Sequence, residues 1–182
     1  MKKCSLILLW LVATFASAAL FAKTNKFTRA QLSSPVGYWL TIDDKSNKPR
    51  AVVRLYMVGK ELRGDTMAGL YIPGQSWGPT CEKCIAPWTD KPIHDLTFMW
   101  NFFKSGKTWD STWVDGKIFD VSSKKDIYRS KLWLIDQGKK IKVRGYVFVF
   151  YRTQTWNRLT HHEALGYVEL MKEQRKKYPF TD

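Results

Sequence analysis

Apolar residues recur at every second position through most of this chain, in short runs broken by turn residues. Residues 36–42 (VGYWLTI) form the first run and 50–58 (RAVVRLYMV) the second. Gly59-Lys60 is a two-residue hairpin signal leading into 61–70. Residues 71–92 are rich in Pro, Gly, Cys and Trp and read as a long loop. Residues 95–103 (DLTFMWNFF) are strand again, Ser105-Gly106-Lys107 turns the chain, and 109–119 is strand with a break expected at Asp115-Gly116. Residues 126–135 and 140–150 flank Asp136-Gln137-Gly138, a second hairpin signal, and 152–158 (RTQTWNR) close the series. About eight such strands without intervening helices predict an antiparallel sandwich or barrel. In 140–150, Ile141, Val143, Val147 and Val149 share one face, while Tyr146, Phe148 and Phe150 share the other. A strand apolar on both faces needs cover on both, or a ligand on one.

The period changes near each end. Residues 1–22 run from Lys2-Lys3 through the apolar stretch 6–15 to Ala16-Ser17-Ala18-Ala19, the order of a secretory signal peptide, with cleavage expected near Ala18 or Ala22. The apolar stretch is shorter than the roughly 20 residues that span a bilayer. The mature chain is therefore expected to be periplasmic or secreted, with no transmembrane segment after cleavage. Residues 23–34 are polar and read as a flexible arm, and 35–158 as the barrel domain. In 159–182, Thr160 and Glu163 fit a capping box, and Ala164, Leu165, Val168 and Met171 recur at helical spacing. One helix over 160–177 is predicted, packed on the outside of the barrel.

Charge and cysteine usage narrow the function. The net charge is +14, and signal cleavage removes Lys2 and Lys3 from it. Eight basic residues between Lys124 and Arg144 face only Asp126 and Asp136. Export excludes nucleic acid as the partner, which leaves a solvated basic face or one that meets anionic lipid or glycan of the envelope. Cys4 belongs to the signal segment, so Cys81 and Cys84 remain, an even pair suited to a disulfide in an oxidising compartment. A redox CxxC needs a βαβ setting, and a zinc site needs two further soft ligands; neither is present. His161-His162 sit in a helical first turn, where capping accounts for them, so no metal and no cofactor are expected.

Asp43-Asp44 are the candidates for acid–base work, as in a hydrolase or isomerase, although adjacent carboxylates in a polar turn suit the turn itself. There is no Ser/His/Asp arrangement, nucleophile elbow or phosphate loop, so the pattern leans away from an enzyme. Nine Trp, eight Tyr and ten Phe make up 15% of the chain. Those near a barrel mouth would line a site for a small apolar or amphipathic ligand.

Several segments taken in order resemble a known family. They are 36–44 (VGYWLTIDD), Cys81-Glu82-Lys83-Cys84 followed by Lys91-Pro92-Ile93, then Gly116-Lys117-Ile118-Phe119-Asp120, Lys142-Val143-Arg144-Gly145-Tyr146 and Arg152-Thr153-Gln154-Thr155-Trp156. Over about residues 35–158 the chain is similar to exported bacterial proteins grouped as domain of unknown function 2147 (DUF2147). The resemblance implies a lipocalin-like, calycin-like β-barrel, with no established activity. In calycin barrels, Gly-x-Trp packs against an arginine of the last strand. Gly37 and Trp39 would play that part here, with Arg152 or Arg158 as the arginine, and Gly145 is also assigned a structural role. Candidate ligand-binding residues are Tyr38, Trp100, Tyr146 and Trp156, with Arg144 or Arg152 anchoring an acidic head group. At 121–125 the chain has Val-Ser-Ser-Lys-Lys where the family pattern has a Pro-, Gly- or Asn-containing turn.

Overall fold

The computed structural model describes residues 26–72, 78–108 and 111–178. The signal peptide expected at 1–22 lies outside them, as do Trp77 and Trp109. Among the described residues, eight antiparallel strands close a barrel in chain order. They are β1 (Gly37–Ile42), β2 (Pro49–Val58), β3 (Glu61–Gly69), β4 (Leu96–Lys104), β5 (Trp113–Phe119), β6 (Ile127–Ile135), β7 (Lys140–Val147) and β8 (Phe150–Leu159). The last returns to the first through Tyr38↔Leu159, Trp39↔Arg158 and Leu40↔Asn157. Closure leaves no free sheet edge. This is the architecture that the alternation predicts.

Two connections and one strand interior refine the sequence reading. The run 140–150 is not one strand, because the chain reverses at Phe148-Val149 between β7 and β8. No Gly, Asn or Asp marks that turn, and the apolar alternation runs straight across it. The break expected at Asp115-Gly116 is a bulge: Asp115 takes φ 61° and the register between β5 and β6 shifts there. At 120–126 side chains replace the usual turn residues. Asp120 Oδ1 accepts from the Ser122 amide at 2.9 Å, Ser123 Oγ accepts from the Asp126 amide at 2.9 Å, and Lys124 adopts φ 63°.

Antiparallel order sends alternate connections to opposite ends. One end carries the β2–β3 turn, the β4–β5 loop and the 3-10 turn Asp136–Gly138. Trp39, Leu55, Leu62, Phe102, Leu132 and Ile141 fill the barrel below it. The segment 26–36 seals this end. The part of the expected flexible arm that is described contains a one-turn helix, α1 (Arg29–Leu32), capped reciprocally by Thr28 and Gln31. The seal is locked by Arg158, which lies 4.2 Å from the Trp39 ring. Its Nε donates to the Gly138 carbonyl at 2.7 Å, Nη1 to Val36 at 3.1 Å and Nη2 to Ser34 at 2.6 Å. Trp39 Nε1 donates to the Pro35 carbonyl at 2.8 Å. Gly37 takes φ +135°, and a Cβ there would sit 3.1 Å from Arg158 Nη1, so this position requires glycine. Burial pushes the Arg158 guanidinium down to about 10, still well above neutral pH.

Helix α2 (His161–Lys177) starts at the capping box of Thr160 and Glu163. Burial pushes the Glu163 carboxyl up, but hydrogen bonds from Lys26 and from the Thr160 amide and hydroxyl outweigh it and hold the group below its ordinary value. Ala164, Val168 and Met171 pack on Leu40, Val52, Ala68 and Leu159 from β1–β3 and β8 and on Leu70 just past β3, while Leu165 turns outward. This covers the outer apolar face of those strands. None of the described helices is long and apolar enough to cross a membrane.

Candidate functional site

The other end of the barrel is open. A cavity of about 1350 Å³ lies among the inward residues of the strands and the loops at this end. Its apolar wall includes Val53, Phe98, Ile118, Phe119, Val143 and Trp156, and Val53, Val143 and Trp156 also belong to the core beneath. Polar and charged side chains make up much of the remaining lining. Trp156 Nε1 donates to Gln154 Oε1 at 3.1 Å, and the buried Ser130 and Thr66 also line the cavity. Thr41 is buried on β1, and its hydroxyl has no hydrogen-bond partner among the described residues. Tyr128 also lines the wall. Burial first, then Asp120 and Asp126, push its phenol up, so it remains a neutral hydrogen-bond donor.

The mouth is ringed by charge. Asp43 is buried and closes its own turn, accepting from the Ser46 amide and hydroxyl, each at 2.8 Å, and from Arg50 Nη1 at 2.9 Å. Arg50 Nη2 reaches across to Ser122 Oγ at 2.8 Å. Asp44 takes a two-pronged bond from Arg152, its Nε at 2.7 Å. The two adjacent carboxylates therefore have separate duties, one in the turn and one in an ion pair. Lys45, Lys83 and Lys124 also face the mouth, against Glu82 and Asp120.

A loop forms one side of the mouth. Cys81 and Cys84 form a disulfide with a Cα–Cα distance of 5.5 Å, and both are buried against Ile93, Leu96 and Phe119. Trp88 stacks on Phe119 at 4.1 Å and donates to the Thr97 carbonyl at 2.9 Å. The disulfide closes a very short loop, so the chain-entropy argument gives it about 2 kcal/mol. Cys81→Ser/Cys84→Ser is expected to lose about that much in urea unfolding while the barrel stays folded, because the closed end makes no use of the bridge.

The structure brings together two of the six residues proposed from sequence as a ligand site. Trp156 and Arg152 line the cavity. Tyr38 neighbours Trp39 and so points outward, its ring 5.1 Å from that of His161. Trp100 packs on Trp88 at 5.3 Å. Arg144 and Tyr146 lie on the outer face, with Arg144 4.1 Å from the Tyr151 ring and bonded through Nε to Thr153 Oγ1 at 2.8 Å. Gly145, between them, faces the cavity. Thr41, Val53, Phe98 and Tyr128 were missed. Strand parity from Trp39 would have found Thr41 two residues on. Among the described residues, no three His, Cys, Asp or Glu side chains gather as a metal site.

A barrel sealed at one end by a Trp–Arg lock and hollow at the other is lipocalin-like. The chain belongs to the family described as "Uncharacterized protein conserved in bacteria (DUF2147)", whose pattern matches residues 37–158. In fold it is similar to protein HP1028 from the human pathogen Helicobacter pylori, which belongs to the lipocalin family. The TM-score is 0.59 at 15% identity, covering 72% of this chain and 87% of that one. No curated protein matches the sequence.

Proposed function

We propose that this protein binds a small apolar or amphipathic molecule in the open half of the barrel, outside the cytoplasm. The observation that carries this reading is the cavity of about 1350 Å³, whose base of Val53, Val143 and Trp156 is apolar while charged side chains gather at its mouth. Ligand sites have this character, and their usual volumes run from about 300 to 1000 Å³, so a ligand fits with room left at the mouth. Lysines and Arg152 at that mouth suit an acidic head group. The reading does not draw on catalysis, since Asp43 and Asp44 are engaged in the turn and the ion pair. Export is supported by the basic–apolar–small order of residues 1–22 and by the disulfide.

Native mass spectrometry of mature protein purified from the periplasm tests this. The expected result is an adduct that disappears on denaturation. A bare mass, together with no uptake of an apolar fluorescent probe such as N-phenyl-1-naphthylamine, would sink the proposal.

A further inference from the structure

The β7–β8 hairpin ends in a run of exposed apolar side chains. Phe148 is 99% exposed, Val149 85% and Phe150 74%, with Val147 and Tyr151 also exposed beside them. Phe148 takes φ 53°, a conformation that favours Gly, Asn or Asp. A phenylalanine there is unfavourable for the turn and packs on nothing in the fold. A residue choice that disagrees with local structure points to another use.

What lies behind the tip is ordered by depth. Tyr146 pairs with Tyr151, and Arg129 sits beside Tyr146 on β6. One step further back, Lys131 pairs with Arg144. The guanidinium of Arg144 lies 5.3 Å from the Trp133 ring, and Lys131 Nζ lies 5.9 Å from the Tyr146 ring. None of strands β6, β7 and β8 contains an acidic residue. At about 3.3 Å per residue, the tyrosines stand about 7 Å behind the tip and Arg144 about 13 Å behind it.

We propose that this hairpin docks the protein on a bilayer containing anionic lipid, with residues 147–151 entering its surface. Interfacial elements bury their apolar face about 5–10 Å deep. That depth immerses Phe148, Val149 and Phe150, brings Tyr146 and Tyr151 to the headgroup level that suits their amphipathic rings, and holds Arg129, Lys131 and Arg144 against lipid phosphates. The same contact sets the cavity on the membrane, because Val147, Phe150 and Tyr151 belong to its mouth. An apolar molecule could then pass between bilayer and barrel with little exposure to water. Docking itself does not require the cavity to be occupied.

Vesicle flotation of the mature protein, with phosphatidylcholine alone or mixed with phosphatidylglycerol, is the test. Wild-type protein should float with the mixed vesicles, less so as salt rises. Phe148→Ser/Val149→Ser should cut binding at least about tenfold with unchanged near-UV circular dichroism, since both side chains are exposed and neither lines the cavity. Arg129→Gln/Lys131→Gln/Arg144→Gln should weaken binding and flatten its salt dependence. No flotation, or a tip variant that floats like wild type, overturns the proposal. So does a dimer in sedimentation that the tip variant disperses, because the tip would then be covered by a second copy. Retention of a cavity adduct by the tip variant in solution separates docking from the binding reading.

Discussion

Replacing Arg158 with alanine is expected to cost about 3–4 kcal/mol in urea unfolding, a large share of the 5–15 kcal/mol that holds a domain together. The guanidinium is buried, and each of its three nitrogens donates to a different backbone carbonyl: Gly138, Val36 and Ser34. Those carbonyls come from the β6–β7 turn and from the segment that covers the barrel floor. Leaving even part of them unpartnered costs on the order of 1 kcal/mol each. Loss of the contact 4.2 Å from the Trp39 ring adds about 1–2 kcal/mol in so dry a place. Arg158→Lys separates fork geometry from charge. A lysine keeps the charge but cannot aim at three carbonyls, so it should recover less than half of the loss. If lysine restored nearly all of it, the planar fork would be irrelevant and the seal would rest on charge over the indole. Ligand retention in the open half should survive in whatever fraction of either variant stays folded, because Arg158 is not part of the cavity wall.

The barrel was legible because its strands repeat one physical rule. Alternation set eight runs, and Gly59-Lys60 and Asp136-Gln137-Gly138 set two of the turns. The family resemblance implies that Gly37 and Trp39 pack against an arginine of the last strand, and the residues alone leave Arg152 and Arg158 as equals. The fold separates them: Arg158 reaches Trp39, whereas Arg152 lies at the opposite end with Asp44. The site is less legible because aromatic character does not tell which face of a strand a residue occupies. On a strand, a shift of one residue exchanges inside for outside. Tyr38 and Tyr146 are each one residue from an inward position, Trp39 and Gly145, and each lies outside the cavity wall. The β7–β8 tip carried no turn signal at all, so its exposure could be found only from the structure. The C-terminal helix is the counter-example, since a capping box and an apolar stripe are local signals that tertiary context did not override.

Gly145→Trp is expected to empty the barrel without unfolding it. A Cβ at this position would meet Tyr128 Cβ at 3.7 Å and Ser130 Oγ at 3.8 Å, which is ordinary contact, so the backbone accepts a side chain. Glycine inside a strand also weakens it, and an aromatic there should leave stability equal or higher. The indole would enter the cavity two residues above Val143, over the apolar wall of Val143 and Trp156. Shutting a ligand off from about 100 Å² of that wall, at about 25 cal/mol per Å², removes about 2.5 kcal/mol, more than a tenfold loss of affinity. The adduct expected for wild-type protein should therefore be absent, or uptake of N-phenyl-1-naphthylamine should fall by at least that factor. Tyr146→Trp is the matched control. It adds aromatic bulk one residue along the same strand but on the outer face, and should leave retention unchanged. Equal retention by Gly145→Trp and wild type would place any ligand outside the barrel. Equal loss in both variants would mean that disturbance of β7, rather than occupation of the cavity, controls binding.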